Sequence, residues 1–219
     1  MIIQNLNIDY LNAVIDLQTV IYTYLDNKDQ LETLSVKEFK VVLSQGYAVG
    51  VIKSGQLIAF RAFLIPHDND PDHLAYDANL PVDRSIYSEV SFVHPHYRGK
   101  GLQTKMGKYL LEKVIESKKF KYVFATVDPS NVASMYDKFK LGFVIVNTKY
   151  KYEHKLRHVF VKDLVNSNST GKSYITYVPH SDIGWMLKNR KNFIGVGLRN
   201  RDIMYIRKNH TEGVKNEVL

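Results

Sequence analysis

Residues 85–119, SIYSEVSFVHPHYRGKGLQTKMGKYLLEKVIESKK, carry a strand, a glycine-bearing turn and a helix in that order. SIYSEVSFV (85–93) is rich in β-branched and aromatic residues and stops at His94-Pro95, as a half-buried strand does. From Leu102 onward Met106, Tyr109, Leu110 and Val114 fall on one side of a 3.6-residue period, which predicts a helix over 102–119. Between them lies Arg98-Gly99-Lys100-Gly101-Leu102-Gln103. Glycines at such a junction let unpaired backbone N–H groups turn toward an anion, and the helix N-terminus adds a partial charge of about +0.5. A phosphate or pyrophosphate suits this turn; without a ligand it is simply a tight turn.

Working outward, residues 1–45 read as a short opening strand followed by two helices. The second, LSVKEFKVVLSQG, has a Ser cap, with Phe39, Val42 and Leu43 inward and Gly46 as its stop. YAVGVI (47–52) and QLIAFRAFLI (56–65) flank Lys53-Ser54-Gly55 as a hairpin. Residues 66–85, with Asp68, Asp70, Asp72 and three prolines, form a long polar loop that we expect on the substrate side. KYVFATV (121–127) is a buried strand, and NVASMYDKFKLGF (131–143) a short helix closed by Gly142. FVIVNTKYKY (143–152) and HKLRHVFVKDL (154–164) make a closing pair of strands. The division expected is a domain over 1–164 and an extension over 165–219, packed on that domain or continuing it. VNSNSTGKS (165–173) serves as the linker, three more strands surround a helical piece near Trp185, and the last residues fray.

The composition narrows the function. The chain has 219 residues, 45% of them apolar, enough for a sizeable core and too many for a disordered polymer. No stretch offers the roughly 18–20 consecutive apolar residues of a membrane-spanning helix, and the N-terminus lacks an export signal, so a cytoplasmic location without a membrane partner is expected. The absence of Cys excludes disulfides, thiolate metal sites and a cysteine nucleophile. The net charge of +8 is local: 17 basic and 16 acidic side chains fall in 1–150, 13 and 6 in 151–219. That basic third, with Tyr174, Tyr177, Trp185 and Tyr205, raises single-stranded nucleic acid as a partner, but no recognised binding motif surrounds the cluster of Lys188, Arg190 and Lys191. NSNSTGKS (166–173) imitates the end of a P-loop, yet Asn166 stands where glycine is required. His94 and His96 have no third ligand at metal-binding spacing, so no metal is assigned.

Two segments taken together, SEVSFVHPHYRGKGLQTKM (88–106) and NVASMYDKFKLGF (131–143), resemble the Gcn5-related N-acetyltransferases, and the order of elements is similar over residues 1–164. The resemblance implies an α/β fold, a twisted mixed sheet flanked by helices, here with a C-terminal β-rich extension. It implies acetyl-coenzyme A as the donor. In that family an Arg-x-x-Gly-x-Gly/Ala turn wraps the coenzyme A pyrophosphate; Arg98 and Gly101 match, while the last position is Gln103. The cofactor residues so implied are Arg98, Gly99, Lys100, Gly101, Leu102, Gln103 and Thr104, with the main chain at Phe92 and Val93 pairing with the pantetheine arm. Asn131 either holds that arm or only caps its helix.

Direct acyl transfer to an amine needs a deprotonated nucleophile, a polarised carbonyl and a protonated leaving thiol. Tyr136, matched to the family's second segment, is the expected general acid. Glu89, on the same strand face as Ser91 and Val93, is the expected base, with water as the alternative. The expected activity is therefore acetyl transfer to a primary amine of a small molecule or peptide through a ternary complex. The alternative is a non-catalytic acyl-coenzyme A sensor whose basic extension recruits a partner. For residues 165–219 a dimer contact, and hence a homodimer, is one possible role.

Overall fold

The computed structural model describes residues 1–152, 154–166 and 174–208. Residues 167–173, the main part of the expected linker and of the P-loop-like segment, and the tail from 209 lie outside them. The elements are β1 (Ile3–Asn5), α1 (Leu11–Thr23), α2 (Val36–Ser44), β2 (Ala48–Lys53), β3 (Gln56–Leu64), β4 (Ser85–Val93), α3 (Leu102–Ser117), β5 (Tyr122–Val127), α4 (Val132–Lys140), β6 (Val144–Lys151), β7 (Lys155–Asp163), β8 (Ile175–Pro179), α5 (Ile183–Asn189), β9 (Phe193–Arg199) and β10 (Asp202–Arg207). Among the described residues all strands join one sheet in the order β1-β2-β3-β4-β5-β7-β6-β9-β10-β8. Every pairing is antiparallel except β4 with β5.

Each face of the sheet has its own core. Phe60 and Ala62 of β3 point toward α1 and α2, where they meet Val14, Leu17 and Phe39, and Phe39 stands edge-on to Phe60 and Phe92. On the other face Phe63 joins Met106 and Leu110 of α3 and Met135 of α4. A strand covered on both faces is apolar throughout, which is why QLIAFRAFLI has no polar alternation. Ser35 and Glu38 close a reciprocal capping box at the start of α2.

β4 and β5 are paired only at their beginnings, Ser85–Tyr87 against Tyr122–Phe124. Beyond that each stays zipped to its outer neighbour: β4 to β3 as far as Val93, β5 to β7 as far as Val127. The cause lies in β4. Val90 faces Ala62 and Ser88 faces Phe63, so Glu89 is an extra residue, a β-bulge, and bulges bend a strand and increase its twist. The parallel pair opens into a V at that residue.

The sheet does not close with β6 and β7 as the sequence suggested. β9 meets β6 at Gly195 opposite Ile145, and Val178, Met186, Ile203 and Tyr205 are buried in the same core as α3 and α4. α4 also packs against β9. The 66–85 segment folds down rather than standing off the surface: its 3-10 turn, Leu74–Ala78, seats Leu74 and Ala75 against Tyr87, Phe124, Val159 and Val161.

Candidate active site

The V between β4 and β5 is the mouth of a cleft of about 770 Å³ that runs from the glycine turn past α4 to the end of α1. One wall is the free edge of β4. His94 donates its N–H to the Ile58 carbonyl of β3, and strand amides alternate sides, so the main-chain groups of Val93 and Ser91 point to the open edge and those of Phe92 to β3. Val93 thus offers its backbone to a ligand in the cleft. Phe92 does not: its ring is buried between Phe39 and Phe60.

At the mouth, Gly99 and Gly101 both take left-handed conformations, with φ of 77° and 69°. The turn they make leaves the backbone N–H groups from Gly99 to Thr104 without a hydrogen-bond partner among the described residues, and α3 begins with no side-chain cap. A run of unpaired donors at a helix N-terminus fits the phosphates of a nucleotide-like ligand. Arg98, Gly99, Gly101, Leu102, Gln103 and Thr104 all line the cleft. Lys100 instead lies with its ammonium 5.0 Å from the Tyr97 ring. Asn131 lines the cleft as well, while its side-chain Oδ1 accepts the Ser134 N–H and caps α4.

A buried polar network forms the floor. Arg61 donates to Asp137 at 2.8 Å, to the Gln103 carbonyl at 3.0 Å and to Ser88 Oγ at 3.0 Å, and Thr104 Oγ1 donates to Asp137 at 2.8 Å. It joins β3, β4, α3 and α4. Helix α3 crosses the guanidinium at Gly107, where a Cβ would lie 2.6 Å from Arg61, so only glycine fits. Burial alone would raise the Asp137 carboxyl, but Arg61, Lys138 and the Thr104 hydrogen bond outweigh it and hold it below the usual range. Lys138 is buried, lines the cleft and reaches Asp137 at 3.5 Å. Burial, reinforced by Arg61, pushes its amine down to about 7.

Glu89, at the bulge, is the exposed residue of an otherwise mostly buried strand, and it opens into the cleft and a small adjoining recess. The surrounding walls still keep bulk water from the carboxyl and, with the like charge of Glu38, push it up to about 7. Among the described residues no cation pairs with it, whereas Glu32 is paired to Lys155 at 2.9 Å and Asp128 to Arg157 at 3.1 Å. Tyr152 borders the recess; its hydroxyl lies 3.2 Å from Thr126 Oγ1, and burial pushes it up to about 12. The expected substrate-side loop contributes only Leu74 here, because Asp77 is spent on Lys149 and Lys151. The far wall comes from the end of α1 and residues 30–32.

Tyr136 is 49% exposed, with the Lys140 ammonium 4.6 Å above its ring. The structure therefore brings Glu89, Val93, Asn131, Tyr136 and most of the glycine turn to one cleft. Sequence reasoning overlooked Arg61, Asp137 and Lys138. The signal was there: a lone arginine inside QLIAFRAFLI, and two adjacent charged residues on the inward side of a short helix.

Comparison with known proteins gives a consistent picture. The family model described as the acetyltransferase (GNAT) family matches residues 11–143. No curated protein sequence matches the chain significantly. Among solved structures, an N-acetyltransferase from Staphylococcus aureus is 18% identical with a TM-score of 0.53, the alignment covering 74% of this chain and 98% of that one. YncA from Salmonella typhimurium, solved with its cofactor acetyl-CoA, is 16% identical with a TM-score of 0.57, over 78% and 98% of the two chains. The diaminobutyrate acetyltransferase EctA from Paenibacillus lautus, in complex with its substrate and coenzyme A, is 15% identical with a TM-score of 0.55, over 75% and 96%. At these identities the likeness speaks for the fold.

Proposed function

The chain belongs to the acetyltransferase (GNAT) family, and from that premise we propose that it transfers an acetyl group from acetyl-coenzyme A directly to a primary amine on a cationic small molecule or peptide. The observation that carries this reading is the coincidence, in one cleft, of a free strand edge at Ser91 and Val93 with the unpaired N–H groups of Gly99–Thr104. One is suited to an amide-bearing arm, the other to phosphates. Acetyl-coenzyme A, when bound, supplies an activated thioester and a thiol leaving group.

The chain's own residues supply the rest. Val93 and Ser91 hold the arm by main-chain pairing, and Arg98 with the first turn of α3 neutralises phosphate charge. Glu89, the unpaired carboxylate of the cleft, attracts an ammonium and takes its proton, and a carboxyl near 7 is matched to that task at neutral pH. The acceptor side, bounded by Ile21, Leu25, Leu31 and Glu32, gives the amine an apolar approach with acidic flanks. Two residues of α4 that line the cleft, Tyr136 and Lys138, are the candidates for protonating the leaving thiolate.

Isothermal titration with acetyl-coenzyme A, with ATP as control, tests the cofactor half. Saturable binding of acetyl-coenzyme A alone is expected, followed by thiol release on adding polyamines, diamino acids or basic peptides. Absence of acetyl-coenzyme A binding would refute the reading.

A further inference from the structure

We propose that the ammonium of Lys138, held at the floor of the cleft by Asp137, neutralises and protonates the leaving thiolate of coenzyme A, and that Tyr136 does not. The inference rests on the acetyl-transfer reading above and assigns one of its steps.

Burying an ammonium costs several kcal/mol unless its N–H groups find acceptors. Lys138 has one acceptor among the described residues, Asp137 at 3.5 Å, and that carboxylate is already engaged by Arg61 and Thr104, each at 2.8 Å. The charge is thus under-compensated at a residue that lines the cleft. An anion forming in the cleft would complete its coordination.

Position supports the assignment. The contacts run from Lys138 Nζ to Asp137, from Asp137 to Arg61, and from Arg61 to Ser88 Oγ. This chain ties the ammonium to the level of β4 where Glu89 bulges and the strands part. The group that gives a proton and the group that takes one therefore line the same cleft and are joined through one polar network to the strand that bears Glu89. Tyr136, two positions earlier, is turned about 200° around the helix axis from Lys138. Its ring is half exposed and covered by Lys140.

The step balances. The amine lone pair forms the new carbon–nitrogen bond, the carbon–sulfur bond breaks with its electron pair going to sulfur, and Lys138 Nζ passes a proton to that sulfur. An acceptor that arrives as an ammonium first gives one proton to Glu89, which passes it to water. The second proton, shed by the nitrogen once it is acylated, leaves by the same route, and Lys138 regains one from water, so that one proton is released per turnover. The charged groups around Nζ are Asp137 from its own helix and Arg61 from β3; Thr104 of α3 and Ser88 of β4 are the neutral partners of that pair, and Glu89 of β4 lines the same cleft.

The test reads the thiol without an acceptor. Coenzyme A is bound to the wild-type protein, Lys138→Met and Tyr136→Phe, binding is verified by isothermal titration, and the ultraviolet absorbance of the thiolate is followed against pH. The thiol should be at least tenfold more acidic on the wild-type and Tyr136→Phe proteins than on Lys138→Met. Equal acidity on all three, or loss of the effect in Tyr136→Phe alone, would overturn the assignment. Coenzyme A that binds to none of them defeats the acetyl-transfer reading itself, a distinct outcome. Should Lys138→Met not fold, ¹⁵N NMR of lysine-labelled wild-type protein decides, the Lys138 signal being assigned by its absence in Lys138→Arg. Its titration must move to higher pH when coenzyme A binds, and an unmoved titration overturns the proposal. So would acetylation of Lys138 itself by acetyl-coenzyme A, because a neutral amine rather than an ammonium would then face the thioester.

Discussion

Arg61 of β3 and Asp137 of α4 meet at 2.8 Å in the interior, the arginine fully buried and the aspartate nearly so. Through Gln103, Thr104 and Ser88 this pair fastens the start of α3 and the bulged strand to the helix bearing Tyr136 and Lys138. It therefore ties together three of the elements that wall the cleft, β4, α3 and α4. Asp137→Asn leaves Arg61 and Lys138 buried without their counter-ion, a change that costs about 3–5 kcal/mol. Urea unfolding of the two proteins measures it. Because the folded carboxyl lies below its unfolded value of 3.8, its contribution is complete above that pH and is lost as pH falls through the lower folded value. The variant should accordingly lose less stability on acidification than the wild type.

Glu89 makes the opposite prediction. Its folded carboxyl sits near 7 against 4.5 unfolded, so the stability associated with it is complete below 4.5 and is lost as pH rises through about 7. Glu89→Gln should match the wild type in melting temperature at pH 4 and exceed it at pH 8. Its turnover should fall on the order of 10²-fold or more, with the acidic limb of the pH–rate profile near 7 removed. A variant that is both faster and more stable would take Glu89 out of the mechanism.

At the mouth of the cleft, Gly101 has open space around its missing side chain but a φ of 69°. Alanine there is disfavoured by roughly 1–2 kcal/mol in backbone energy without a steric clash. Gly101→Ala should thus lower the affinity for acetyl-coenzyme A about tenfold or more by turning the N–H groups off target, while leaving the Glu89 titration in place. Isothermal titration reads the first, and the pH–rate profile at saturating donor the second.

What the sequence disclosed and what it hid have physical reasons. The strand, turn and helix of 85–119 were legible because local residues dictate them: β-branched alternation, two glycines and a helical apolar stripe. Phe39, Val42 and Leu43 were inward as their spacing required. The bulge at Glu89 was not legible, since an extra residue in a strand shows only in its register against β3. The same holds for the floor: Arg61, Asp137 and Lys138 come from positions up to 77 residues apart, and a lone charge in an apolar run reveals that a partner exists without saying which. The polar 66–85 loop misled because Asp77 pairs with lysines of a strand formed much later in the chain.

The extension beginning at residue 165 offers the most direct test of how the chain is built. We propose that residues 174–208 unfold with the rest as one unit, because Ile203, Met186 and Tyr205 are buried in the core that also holds Met106 and Phe160, and α4 rests on β9. The chain's single tryptophan makes this measurable: Trp185 lies in α5, its ring 5.2 Å from Phe193 and 5.0 Å from Tyr205. Its fluorescence reports the extension, whereas far-ultraviolet circular dichroism reports every helix and strand. In urea the two transitions should coincide, the mark of a single cooperative unit. Ile203→Ala, which empties a fully buried position, should lower the unfolding free energy by about 2–5 kcal/mol and move both midpoints together. If instead the fluorescence transition came first and acetyl-coenzyme A still bound after it, the extension would be a separate module, and α4 would be held by its packing on α3 and the Arg61–Asp137 pair without help from β9.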